Sequence, residues 1–154
     1  MPRESKNAYY LAMLALVATR GTCPRRRVAA ILTDAEGRVL ATGYNGPPPG
    51  YPHCIDDPCP GARDAAGDTS RCVAIHAEQN AIVQAGLGGN LARARHLYTS
   101  ASPCFSCCKL LCALPALWEI YALDLYPDAA GLDLLRRRRI KLFVKTNDGL
   151  KEIL

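Results

Sequence analysis

A chain of 154 residues, 49% hydrophobic and 21% charged, is long enough to close one hydrophobic core and has the make-up of a globular protein. No run reaches the roughly 18 consecutive apolar residues of a membrane helix, and much of the net charge of +5 sits in two arginine runs, at 25–27 and 136–139. The eight cysteines, with no convincing secretion signal, point to a reducing cytosol, where clustered thiols serve metals or catalysis rather than disulfides.

Residues 5–19 read as a helix, with Tyr9, Met13 and Leu16 at three- and four-residue spacings. The apolar run "AYYLAMLALVA" follows Arg3 and Lys6 as a signal peptide would. The charged "TRGTCPRRR" behind it, however, stands where a signal peptidase needs small residues. "RVAAILTD" (27–34) and "GRVLATGYN" (37–45) are strand-like and flank "DAEG", a turn signal. From 46 to 71 the text is rich in Pro, Gly and Asp with little periodicity. An irregular stretch of that length is either functional or pinned by something. Residues 73–86 read as a helix closed by Gly86, 96–102 as a strand, and 103 to about 114 as a helix. A strand at 117–126, a helix at 128–138 and a last strand at 140–146 complete the pattern. Helices recurring between strands predict α/β layers around a central sheet, with nothing to divide the single domain spanning 1–154.

Two pieces carry the chemistry, "HAEQNAI" (76–82) and "SPCFSC" (102–107). His76, Cys104 and Cys107 offer zinc three protein ligands and leave a fourth position for water, the composition of a catalytic site. Pro103 is preorganised for a helix start, where unpaired N–H groups and the helix dipole favour thiolates. Glu78 lies too close to His76 in sequence to be an obvious fourth ligand. It suits a proton shuttle from water to a ring nitrogen and then to a leaving amine. The pattern H-x-E…P-C-x-x-C is the mark of zinc nucleobase deaminases.

Cys54, Cys59 and Cys72 bracket the irregular loop, Cys23 precedes it, and His53 offers a further imidazole. Four thiolates would close a structural zinc site and staple the loop. Free buried cysteines or a disulfide pair are the alternatives. In "SPCFSCCKLLC", Cys107 and Cys108 both lie near the face of Cys104 on a helix, so spacing alone does not choose between them; the Pro-Cys-x-x-Cys pattern selects Cys107. Cys108 and Cys112, four residues apart, read as small apolar packing groups.

With "CPRRRVAAIL", "GYNGPPPGYPHC", "CVAIHAEQNAI", "LYTSASPCFSCCKLL" and "IYALDLY" in this order, the chain resembles the deoxycytidylate (dCMP) deaminases. That resemblance implies a three-layer α/β/α cytidine-deaminase-like fold with a mixed sheet of about five strands and a cysteine-bearing insertion at about 46–72. It implies zinc-dependent hydrolysis of dCMP to dUMP and ammonia, with His76, Cys104 and Cys107 as zinc ligands and Glu78 as acid/base. It further implies that Asn45 contacts the sugar, that the Ala77 N–H and Ser102 carbonyl hold the ring's oxygen and amine, and that Tyr126 lies near the nucleotide. Cys23, Cys54 and Cys72, with Cys59 as fourth, match the ligands of a second zinc, and relatives are often homo-oligomers such as hexamers. Relatives commonly carry Ala where Cys108 stands. Ala29 or Ala30 stands where the family usually has a glycine, and "TSASPC" is one residue longer than the Thr-x-x-Pro-Cys often found there. These departures leave the phosphate contacts unassigned and admit a 5-substituted dCMP as substrate.

Two other readings compete. One is a zinc deaminase of tRNA adenosine, free cytosine or guanine, which the long cysteine-bearing loop disfavours. The other is a nucleic-acid-binding zinc protein that uses the arginines at 136–139. That reading leaves Glu78 without a role, and the run follows "AAGLDLL" like the basic last turn of a solvated helix.

Overall fold

A computed structural model of the chain describes residues 2–64 and 70–154; part of the 46–72 insertion, residues 65–69, lies outside the described residues. Helix α1 (Lys6–Ala18) is followed by strands β1 (Ala29–Thr33) and β2 (Val39–Tyr44), a one-turn α2 (Pro60–Arg63) and α3 (Ala77–Leu87). Then come β3 (His96–Ala101), α4 (Phe105–Ala113), β4 (Glu119–Asp124), α5 (Ala129–Arg138), β5 (Lys141–Thr146) and β6 (Gly149–Glu152). The strands form one sheet in the order β2-β1-β3-β4-β5-β6. β1 runs antiparallel to both β2 and β3, whereas β3, β4 and β5 are mutually parallel and β6 returns antiparallel to β5.

Alternation along the strands feeds two separate cores. Ala30 and Leu32 of β1, Leu97 of β3, Ile120 and Ala122 of β4 and Leu142 of β5 face α3, α4 and α5, which bring Ala81, Leu111 and Leu135. The opposite faces of the same strands place Ala29, Ile31, Tyr98 and Tyr121 against Tyr10, Leu11 and Leu14 of α1. On that side Tyr98, Tyr121 and Phe143 stack at successive centroid spacings of 5.0 Å across three strands. The layers are therefore helix, mixed sheet and helices, as expected.

The sheet has six strands where about five were expected. β6 escapes the sequence reading because every one of its residues is exposed, so it shows no in–out alternation. The helix expected from residue 73 begins only at Ala77. Its upstream residues are extended instead, since Ile75 exchanges both backbone hydrogen bonds with Gly46 (2.9 and 3.3 Å). His76 thereby becomes the residue that caps α3 rather than part of its first turn.

One glycine fixes how α3 sits on the sheet. A Cβ on Gly43 of β2 would fall 2.1 Å from the Ala77 carbonyl oxygen and 2.5 Å from the Ala81 nitrogen. Only a residue without a side chain lets the strand and the helix start approach so closely.

Candidate active site

Two helix starts meet at the site. His76 ends the extended stretch paired with Gly46 and caps α3, and its N–H donates to the Gln79 side chain at 3.0 Å. Cys104 caps α4, delivered by the C-terminal end of β3. His76 Nδ1 lies 3.4 Å from the Cys104 sulfur and 3.3 Å from the Cys107 sulfur. Two ligands of a tetrahedral zinc, bonded at roughly 2.3 Å to sulfur and 2.0 Å to nitrogen, stand about 3.6 Å apart. The spacing and the mixed N/S donor set therefore fit zinc. Among the described residues this is the one group of three or more His, Cys, Asp or Glu ligand atoms lying within 4.8 Å of one another.

Hydrogen bonds link the three groups. The Cys107 thiol and the His76 and Ser106 side chains hold the Cys104 thiol down to about 3. Cys107 moves up, because it donates to Cys104 and because it is buried. Hydrogen bonding to Cys104 raises His76 above its ordinary value.

Glu78, in the first turn of α3, is 5% exposed. Its Oε2 stands 3.7 Å from the Cys107 sulfur, while Oε1 accepts from the Thr99 hydroxyl at 3.1 Å. Burial pushes this carboxyl up; its own backbone N–H, Thr99 and His76 pull it back. A buried carboxylate next to a three-ligand metal group can take up and release protons within the site.

The β4–α5 connection is tied to the residue that precedes Pro103. Ser102 Oγ accepts from the Tyr126 N–H at 2.7 Å and donates to the Tyr126 carbonyl at 3.2 Å. The Ser102 N–H donates to the Asp124 carbonyl at 2.8 Å. Ser102 is buried and the Tyr126 side chain is exposed. Ala77 is fully buried at the start of α3. Asn45 is occupied locally: its Oδ1 accepts from Val28 N–H and its Nδ2 donates to the Arg26 carbonyl, both at 2.8 Å. That leaves one N–H and one lone pair on this amide for a ligand.

The two adjacent cysteines separate clearly. Cys107 turns to His76, whereas the buried Cys108 donates to the Pro103 carbonyl at 3.4 Å and belongs to the core, against which Cys112 packs. Of the arginines at 136–139, Arg137 pairs with Asp133 at 2.7 Å and Arg138 donates to the Cys112 carbonyl at 3.2 Å, closing the end of α4.

The second cysteine cluster lies at the insertion. The Cys54 and Cys72 thiols donate to Cys59, and Cys23 is close enough to act electrostatically on Cys54 and Cys72. Backbone N–H groups of Val73 and Ala62 also point at the Cys59 sulfur, that of Ala74 at Cys72 and that of Cys59 at Cys54. Such N–H···S bonds stabilise thiolates. The four sulfurs do not share the mutual 4.8 Å spacing of the first group, and no disulfide joins them. His53 is exposed.

A sequence model of the cytidine and deoxycytidylate deaminase zinc-binding region matches residues 4–118. The chain belongs to this deaminase family. The deoxycytidylate deaminase of Schizosaccharomyces pombe is 32% identical over 146 residues, covering 91% of this chain; the chain spans only 44% of that protein's length. A Mycobacterium phage deoxycytidylate deaminase is 34% identical over 119 residues, covering 73% of this chain and 91% of its own. Among solved structures, the dCMP deaminase of cyanophage S-TIM5 in complex with dCMP and dUMP superposes with a TM-score of 0.70. It is 23% identical, covering 94% of this chain and 99% of its own, and it supports the fold. The matched region is the zinc-binding region of the family, in keeping with the His76, Cys104 and Cys107 group.

Two contacts of this chain lie beyond the sequence reading, the Thr99 hydroxyl on Glu78 and the Asp128 carboxylate on the Phe105 N–H. A buried threonine hydroxyl must find a partner, and that is the available signal for Thr99. Asp128 carries the signal of a helix-capping residue before α5; its reach to α4 does not show in one dimension. No helix among the described residues is long and apolar enough to cross a membrane.

Proposed function

We propose that this chain catalyses the hydrolytic deamination of dCMP, or of a 5-substituted dCMP, to the corresponding dUMP and ammonia. The observation that carries this is Glu78 Oε2 at 3.7 Å from the Cys107 sulfur, beside the His76–Cys104–Cys107 group. The deoxycytidylate deaminase names of the relatives supply the base and the nucleotide.

His76 through Nδ1, Cys104 and Cys107 would hold the zinc. Bound zinc supplies the Lewis acidity that makes water a nucleophile at neutral pH. Glu78 takes one proton from the attacking water and delivers it to the ring nitrogen, then carries the second proton, from the new hydroxyl on the ring carbon, to the departing amine, which leaves as ammonia. The Ala77 N–H and the Ser102 carbonyl fix the ring oxygen and the exocyclic amine, Asn45 meets the sugar with its remaining N–H, and Tyr126 borders the nucleotide. Release of ammonia from a carbon that gains oxygen balances as hydrolysis, with no redox partner.

Cys23, Cys54, Cys59 and Cys72 hold a second, structural zinc that ties the insertion to α1's C-terminal loop; the N–H···S pattern around Cys59 supports this. Metal analysis of the purified protein should return two zincs per chain, and a value of one removes this site. The chain acts as a homo-oligomer in a reducing cytosol. Support for assembly comes from Val83 and Leu87, 51% and 79% exposed one turn apart on α3; a monomeric mass in light scattering overturns it.

The deciding experiment assays ammonia release from dCMP, 5-methyl-dCMP and 5-hydroxymethyl-dCMP beside free cytosine, guanine and tRNA. Turnover of dCMP or its 5-substituted forms is expected. Inert nucleotides with reaction of a free base or tRNA would overturn the reading.

A further inference from the structure

Glu78 has two carboxylate oxygens in different surroundings. Oε2 faces the sulfur of Cys107, and Oε1 accepts from a hydroxyl on the neighbouring strand, that of Thr99. We infer that Thr99 is a positioning residue for Glu78: its hydroxyl holds Oε1 so that Oε2 stays directed at the His76–Cys104–Cys107 group.

Thr99 is fully buried in β3, paired with Ala30 of the adjacent strand β1. A hydroxyl there loses all contact with water, a cost that only a hydrogen bond offsets. It has one proton and two acceptors at 3.1 Å, Glu78 Oε1 and the Ala101 carbonyl. Of the two contacts only the one to Glu78 leaves β3 and reaches α3.

Threonine is also stiff about its first side-chain torsion, so the hydroxyl moves with the strand. The same strand leads through Ser102 into Cys104, at the start of α4. Thr99 thus ties the carboxylate borne by α3 to the strand that delivers two of the three metal-ligating side chains. Valine would fill the same space without the donor and leave Oε1 free to turn, and with it the oxygen that must meet water and ring nitrogen.

This inference rests on the deaminase reading above, and its test is chosen to separate the two. With stoichiometric zinc in each protein, Thr99→Val should lower kcat by about 10- to 100-fold, the range for a hydrogen bond to a charged group. KM should change less than about twofold, since substrate binding is not what Thr99 serves. Thr99→Ser should restore kcat.

A second readout needs no substrate. The carboxyl band that distinguishes the wild type from Glu78→Gln in infrared difference spectra should shift in Thr99→Val and return in Thr99→Ser. If Thr99→Val does not fold, Thr99→Ala set against Thr99→Ser makes the same comparison. A kcat within about twofold of wild type in the hydroxyl-free variant, or a Ser variant as impaired as the Val variant, overturns the inference. A wild type inert on every substrate overturns the proposed function instead, and the infrared shift then decides the contact alone.

Discussion

Asp128 and Phe105 join the starts of two helices. The Asp128 Oδ2 accepts from the Phe105 N–H at 2.7 Å, in the first turn of α4, while Oδ1 accepts from the Gly131 N–H at 2.9 Å, in the first turn of α5. One carboxylate therefore satisfies an orphan donor on each helix and sits favourably at both dipoles. Because α4 opens directly after Cys104, the cap also fixes where that sulfur lies.

Asp128→Ala should cost about 1–2 kcal/mol of stability, the range for losing an N-cap, and should loosen the metal group. The expected result is a lower melting temperature together with faster loss of zinc to a chelator. Asp128→Asn keeps acceptor capacity on one side only and should fall between. A variant that melts lower yet keeps wild-type zinc release would confine Asp128 to helix capping.

Glu78 is costly to the fold in the way that functional carboxylates are. It is buried, and burial raises its affinity for a proton. Glu78→Gln keeps the shape and the Thr99 hydrogen bond while removing the charge. It should retain zinc, melt at the same temperature or higher, and lose on the order of 10²-fold or more in rate. Near-normal turnover would take Glu78 out of the shuttle role.

Which parts of the site are readable follows from how each is encoded. His76, Glu78 and Cys104 lie at the starts of two helices in a local pattern, so residue type and spacing suffice. The choice between Cys107 and Cys108 is not local. α4 packs with its Cys108 side against the core and its Cys107 side towards α3, and the spacing i+3 against i+4 is blind to that. Thr99 and Asp128 act on residues 21 and 23 positions away, a distance over which sequence pattern holds no information about contact. The continuous apolar runs of β1, β3 and β4 and the alternation of β5 mark the sheet, whereas exposed β6 and the one-turn α2 carry too little periodicity to be seen. Periodicity starts α3 too early because Val73 to Ile75 are apolar and fit a helical face, while the pairing of Ile75 with Gly46 is a tertiary fact.

Gly43 sets the distance between β2 and the start of α3. Any side chain there meets backbone, 2.1 Å from the Ala77 oxygen and 2.5 Å from the Ala81 nitrogen, so no rotamer change relieves it. Gly43→Ala must push α3 outward, carrying Ala77, Glu78 and His76 away from Cys104 and Cys107. Overpacking of this kind costs about 1–3 kcal/mol or more. The expected phenotype is a destabilised protein that no longer retains zinc stoichiometrically, measured by denaturant titration and metal analysis. Full zinc occupancy with unchanged stability would show that β2 yields without moving the helix.

Away from the site, Asp34 follows β1 with a carboxylate on a residue only 2% exposed. Burial would raise it, but the Arg38 N–H (2.8 Å), the Arg38 guanidinium (3.2 Å) and the Arg93 guanidinium outweigh burial and bring it from 3.8 down to about 2. A carboxyl whose folded-state value lies below its unfolded one binds fewer protons when folded, so its contribution is complete above about pH 4 and fades as pH falls towards 2. The size is about 2 kcal/mol, because each tenfold change in proton affinity between the folded and unfolded chain is worth about 1.4 kcal/mol. Asp34→Asn removes the ionisation and keeps one acceptor. The stability difference between wild type and Asp34→Asn, followed by urea denaturation, should be constant from about pH 7 to 5 and shrink by about 2 kcal/mol between pH 4 and 2. A difference that stays level down to pH 2 would mean that the two arginines are held by solvent rather than by Asp34, and that the β1–β2 turn owes its order to the Gly37 backbone (φ 85°) instead.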